Sequence, residues 1–323
     1  MNKLLAVLIY LLVGSELFAN DKVLKFAGEK GPGKGKTIVL VSGDIEYRTE
    51  ESMPMLAKIL AKRHGFDCIV LFSWDPKGKF LSPGNQRGVI GWNYLDEADL
   101  MIIGTRFRKP KAEDRAHISK CLDAGKPVIG IRTSTHGFRG NDKLGGKISL
   151  NDFGPRIIGD GWVSHHGHHK FQGTRGVIEA RNANHEILKS VSDIFGPSDA
   201  YGIKALTAKD KILLRAQVTE TLAPASKALA GKKNDPMQPL AWLHPYTSPK
   251  GTQGMTFATT LGASLDFVSE DLRRLLVNAT YFLNGLTVPE KANVDFIDPF
   301  YPTFYGPAKR NRWPQLNLKA SDF

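Results

Sequence analysis

Cysteine is almost missing from this chain: Cys68 and Cys121 are the only two in 323 residues. Two thiols make no disulfide framework, and a chain this long buries enough apolar surface to need none. Both stand among apolar neighbours, in Cys-Ile-Val-Leu-Phe and Ile-Ser-Lys-Cys-Leu, so they read as core thiols rather than nucleophiles or zinc ligands. Long apolar runs are equally scarce. Leu4 to Gly14 gives eleven residues, against the ~20 that a bilayer-spanning helix needs. With Lys3 before it and Ser15-Glu16-Leu17-Phe18-Ala19 after it, this run is expected to be a secretory signal over residues 1–19. No second run of spanning length is present. An exported protein, periplasmic or secreted, without stable membrane insertion after cleavage, is therefore expected. Acid is in deficit too: 44 Lys and Arg face 32 Asp and Glu, a formal charge of +12. Such a balance attracts anionic partners. Export argues against nucleic acid, however, and apart from Lys30 to Lys36 and Lys232-Lys233 the bases are scattered, so a solvated basic surface is expected.

A phosphate loop is also lacking. Gly31-Pro-Gly-Lys-Gly-Lys36 has the glycines and lysines, but Lys36-Thr37 precedes the first buried strand instead of opening a helix after one. Residues 20–36 are expected to form a flexible lead-in. From Thr37 onward two patterns alternate. Thr37 to Ser42, Cys68 to Phe72, Asp99 to Gly104 and Pro127 to Ile131 are continuous apolar runs, the mark of strands buried on both faces. Between them, Ser52 to His64 and Ala112 to Ala124 show helical spacing, and Gly65 stops the first. Strand–helix–strand repetition implies a parallel sheet with helices on both faces. Further strands are expected over Ile212–Val218, Pro239–Leu243 and Gly254–Leu261, and a strongly amphipathic helix over Glu270–Asn284. The domain is expected to span 37–289, with the Pro- and aromatic-rich residues 290–323 lying extended over it.

Ligands of open parallel sheets bind at the carboxyl ends of the strands, so the residues after each strand are the candidates. After the first come Asp44, Glu46, Tyr47 and Arg48; after the third, Arg106; after the fourth, Arg132, Thr133, Ser134 and His136. The sharp turn after the fourth strand is the place of a nucleophile elbow. Arg132 occupies it, and arginine stays protonated. A Ser134–His136 pair has no evident orienting group. The densest cluster of titratable side chains is Ser164-His-His-Gly-His-His-Lys170, with four of the nine histidines. Imidazole serves as acid, base or metal ligand. Three uses stay open: proton transfer by His165 or His166 with hydroxyl binding by His168, a divalent metal held by His165, His166, His168 and His169, or a polar loop.

Three segments carry a resemblance: Gly43-Asp-Ile-Glu-Tyr-Arg-Thr-Glu-Glu51, Gly125-Lys-Pro-Val-Ile-Gly-Ile-Arg-Thr-Ser-Thr-His-Gly-Phe138 and Gly161-Trp-Val-Ser-His-His-Gly-His-His169. Gly231 to Met237, Thr259 to Ser264 and Leu272 to Asn278 add to it. Together they resemble the trehalose-utilization (ThuA-like) family over Lys36 to Pro289. The resemblance implies a three-layer α/β, flavodoxin-like fold similar to class I glutamine amidotransferases, with a mainly parallel sheet. Those enzymes carry cysteine at the elbow and a later His-Pro-Glu; here Arg132 stands at the elbow and Leu261-Gly-Ala-Ser264 in the later region, which excludes glutaminase chemistry. ThuA-like proteins often have histidine at the elbow and Gly-His late; Arg132 and Ala263 depart from both. The family context implies a carbohydrate ligand, such as a keto-sugar or disaccharide. The expected working groups are His165, His166, Glu46 and Arg132. Asp44, Tyr47, Arg106, Thr133, His136 and His168 are expected to line the ligand, with no resident cofactor. The alternatives are a non-catalytic sugar- or protein-binding module and a metal-dependent hydrolase.

Overall fold

The computed structural model describes residues 21–309 and 311–323; the signal expected over residues 1–19 lies outside them. Ten strands form one sheet: β1 (Val23–Phe26), β2 (Thr37–Gly43), β3 (Asp67–Leu71), β4 (Leu100–Thr105), β5 (Val128–Ile131), β8 (Thr174–Ile178), β9 (Ile194–Gly196), β10 (Lys211–Val218), β11 (Gln238–Thr247) and β12 (Gln253–Thr259). A separate two-residue hairpin consists of β6 (Lys143–Leu144) and β7 (Ile148–Ser149). The order across the large sheet is β1-β3-β2-β4-β5-β12-β11-β10-β8-β9. The five central strands from β3 to β12 run parallel. Antiparallel strands extend the sheet at both ends.

Helices cover both faces. Alternate residues of β2 point to opposite cores: Ile38 and Leu40 meet α1 (Thr49–His64) and α3 (Glu270–Leu283), whereas Val39 and Val41 meet the side of α2 (Ala112–Asp123). Such two-sided burial explains why the parallel strands read as unbroken apolar runs. Gly65 ends α1 at φ 81°, a left-handed conformation in which glycine has no Cβ penalty. The chain thus adopts the expected three-layer α/β, flavodoxin-like architecture. One difference concerns the lead-in: residues 20–36, expected to be flexible, contain β1, which pairs with β3 from Val23↔Leu71 to Phe26↔Cys68. Four residues with a lysine among them are too short a run to stand out as a strand.

Candidate active site at the carboxyl ends of the parallel strands

The chain leaves β5 through Arg132, whose φ is 46°. A side chain that long in the left-handed region is strained backbone. Gly262, at φ 139°, lies so close that a Cβ on it would stand 2.9 Å from the Ile131 Cβ, so glycine is needed beside the elbow. Arg132 was expected to polarise a ligand oxygen, yet it is fully buried. Its Nη1 donates to the backbone oxygens of Asp199 at 2.5 Å and Thr260 at 2.7 Å. Its guanidinium lies between the rings of Tyr47 and Tyr201, at 4.2 and 4.4 Å. The elbow therefore carries a fixed positive charge beneath the surface.

Above that charge sits Asp199, also fully buried, which no sequence signal singled out. Arg132 Nη2 is 3.4 Å from its Oδ1. Two imidazoles close over it: His165 Nδ1 lies 2.6 Å from Oδ2, and His169 Nδ1 lies 2.8 Å from Oδ1. Burial alone would raise the Asp199 carboxyl. The hydrogen bonds from His165 and His169, with the Arg132 charge, outweigh it and hold the carboxyl well below the usual carboxylate range. An ionised carboxylate accepts only, so each Nδ1 carries its proton toward Asp199. In a neutral His165 ring, Nε2 is then the accepting nitrogen. Its side chain is 32% exposed, enough to meet a ligand.

Glu46 completes the row. Its Oε1 is 3.1 Å from His169 Nε2, and its Oε2 is 2.8 Å from Arg106 Nη1. Asp44 sets this up from below. It is buried, and its Oδ1 accepts the backbone N–H of Glu46 at 2.6 Å and of Tyr47 at 3.0 Å, while Thr133 Oγ1 donates to its Oδ2. Burial raises the Asp44 carboxyl, and these hydrogen bonds work against that rise. Asp44 and Thr133, expected to meet the ligand, instead tie the β2 turn to the elbow. Tyr47 is likewise buried, and burial raises its phenol to about 12.

Among the histidines, the structure separates what the sequence clusters. His165 and His169 face each other at 4.2 Å between ring centroids. His166 turns away and meets the Lys233 carbonyl at 2.7 Å; burial lowers its ring despite that bond. His168 is exposed and stacks on Phe171 at 4.4 Å. His136 lies among Phe107, Trp162 and Tyr201 rings, at 5.2, 5.6 and 5.9 Å. Burial, with the nearby Arg106 and Arg132 charges, lowers it to about 3, so it stays neutral at ordinary pH. His165, His169 and Asp199 offer three ligand atoms all within 4.8 Å of one another, a set that a divalent cation could use. His166 and His168 are not part of it.

Besides Asp199, two further contributors were not legible as site residues. Trp162 is 42% exposed and lies 5.8 Å from His165. Tyr305, from the C-terminal tail, packs 5.5 Å from His169 and 5.1 Å from Tyr47.

Glu46, Arg106 and Arg132, from the turns after β2, β4 and β5, with His165, His169 and Asp199 above them, define a class: a three-layer α/β domain whose elbow bears arginine. More particularly, the chain has the fold of ThuA-like proteins. A solved ThuA-like protein from Parabacteroides merdae aligns with a TM-score of 0.50 and 14% identity, over 79% of this chain and 92% of that one. One from Bacteroides uniformis aligns at 0.48 and 15%, over 79% and 93%. No family model and no curated protein matches the sequence.

Proposed function

We propose that this protein is an exported saccharide-processing protein in which His165 moves a proton on the ligand. The observation that carries the reading is the single buried carboxylate of Asp199 beneath both His165 and His169. A buried carboxylate on Nδ1 fixes the tautomer and ring of a histidine and stabilises the imidazolium once Nε2 has taken a proton. Arg106, held by Glu46 and 22% exposed, is placed to donate to a hydroxyl or carbonyl oxygen. The exposed Trp162 offers a flat face to the C–H side of a sugar ring. Incubation with trehalose and its keto derivative tests the reading: turnover of one of them, lost in His165→Ala, supports it. Binding of both without turnover would make the protein a binding module, in keeping with an elbow that carries no nucleophile.

The set of three ligand atoms favours a second reading, a metal-dependent hydrolase built on His165, His169 and Asp199. Stoichiometric transition metal in the purified protein, absent from His165→Ala and retained in His166→Ala, would support that reading over the first.

A further inference from the structure

The inner histidines stand on the body of the domain, but one of their supports comes from the C-terminal tail. Tyr305 is buried, in a small apolar cluster with Tyr47 and Ala263 that lies apart from the two main cores. Its ring packs 5.1 Å from that of Tyr47 and 5.5 Å from that of His169. Its hydroxyl donates to the Pro197 carbonyl at 3.2 Å, just before Asp199 in the chain. Burial raises the phenol above its ordinary value, so that hydroxyl is a neutral donor.

The residues around Tyr305 fix it from both sides. Gly306 donates its N–H to the Glu46 carbonyl at 2.8 Å, and Arg48 Nη2 donates to the Gly306 carbonyl at 2.9 Å. Thr303 donates through its N–H and hydroxyl to the Glu51 carboxylate, in the first turn of α1, at 2.9 and 2.6 Å. The tail segment 303–306 is thus clasped to the turn after β2 and to the start of α1.

The contacts of Tyr305 and Gly306 converge on His169. Both nitrogens of that ring are engaged, Nδ1 by Asp199 at 2.8 Å and Nε2 by Glu46 at 3.1 Å. Asp199 and Glu46 stand on separate turns, so the ring meets both only while those turns keep their spacing. Tyr305 touches the histidine itself, the tyrosine next to Glu46 and the carbonyl of Pro197. Outer partners of this kind orient a working side chain without meeting the ligand. We propose that Tyr305 is a positioning residue that locks His169 between Asp199 and Glu46, so that tail residues 303–306 belong to the site. The inference rests on the inner histidines being the working pair, as proposed above, and holds for either use of them.

Proton NMR of the whole protein, with isotopically labelled histidine and metal removed by chelator, tests the role. Each Nδ1–H held by a carboxylate should give a downfield signal whose exchange with water can be timed. His165→Gln and His169→Gln assign the inner two. His244, whose Nδ1 meets Asp210 at 2.6 Å on β11, is the internal control. Tyr305→Ala should speed exchange of the His169 proton about tenfold, the size of one aromatic contact. The His244 proton should not change. Tyr305→Leu keeps buried bulk without the flat ring and should act nearly as strongly. Tyr305→Phe loses only the bond to Pro197 and should stay within about threefold of the wild type. An unchanged His169 proton in both Tyr305→Ala and Tyr305→Leu overturns the inference. Equal acceleration of His169 and His244 also overturns it, because it would show general loosening. Absence of both inner signals in the metal-free wild type would overturn the Asp199-centred reading of the site itself.

Discussion

His165 and His169 share five residues of chain with His166 and His168, yet the two pairs have little else in common. The inner pair meets a buried carboxylate, an arginine beneath it and a second carboxylate on Glu46. The outer pair meets a backbone carbonyl and an exposed phenylalanine ring. Residue type is identical, so the difference lies in the partners. A neutral acceptor holds a ring in place, whereas an ionised buried carboxylate also fixes the tautomer and stabilises the charge that proton transfer creates. The density of histidine in a sequence therefore points to the neighbourhood, and the buried carboxylate selects which of them can work.

The comparison breaks most completely at Asp199. Asp199→Ala removes the acceptor of both inner rings and leaves the buried Arg132 without its ion-pair partner. Removing one partner of a buried ionic group costs about 3–5 kcal/mol. Denaturant unfolding should show that loss, together with loss of any turnover. A variant as stable as the wild type would mean that Asp199 does not organise the site. His165→Ala leaves this buried layer intact. Turnover of the active saccharide should fall about 10²–10⁴-fold, the range of a positioned acid–base group, with the melting temperature little changed. Equal losses from His165→Ala and His166→Ala would erase the distinction between the pairs.

Much of the frame was legible in the sequence. The four parallel strands before the elbow are unbroken apolar runs because helices bury them on both sides. The helix over Glu270–Leu283 showed itself by its apolar stripe. The turns after β2, β4 and β5 were likewise readable as the place of the site, since parallel strands expose their carboxyl ends together. The grouping of side chains within it was not. Asp199 follows Gly196-Pro-Ser in a turn, and an aspartate there has an ordinary local explanation. Its role comes from three contacts more than 29 residues away in sequence, to Arg132, His165 and His169, the last separated by 30. Tyr305 reaches the site from a tail with no periodicity to place it. Arg132 was recognised at the elbow, but its burial between Tyr47 and Tyr201 depends on rings from two different turns.

A third imidazole sharpens the comparison, because His136 is half-buried among aromatic rings without a carboxylate partner. Its ring protonates only near pH 3 in the fold, against an ordinary value of 6.5 in the unfolded chain. Between those values the unfolded state binds the extra proton, so stability is full above about pH 6.5 and falls as the pH drops toward about 3. At pH 4.5 the loss from this residue should be about 3 kcal/mol. His136→Phe, which keeps a ring among Phe107, Trp162 and Tyr201, should flatten that part of the pH–stability curve. An unchanged slope would show that the ring is accessible to protonation in the fold.

The smallest effects should come from the outer pair, and their smallness is the point. His166→Ala loses one hydrogen bond, to the Lys233 carbonyl. A neutral bond of this kind contributes about 0.5–1.5 kcal/mol, and the loop holding Lys233 can turn its carbonyl to water. His168→Ala removes an exposed ring stacked on Phe171, and surface changes of this kind stay within about 0.5 kcal/mol. Neither variant should alter turnover or saccharide affinity by more than about twofold, because neither ring meets Asp199, Glu46 or Arg106. If His168→Ala instead abolished saccharide binding while Trp162→Ala left it intact, the binding face would lie over Phe171 rather than over His165. The distinction between inner and outer histidines would then have to be drawn the other way round.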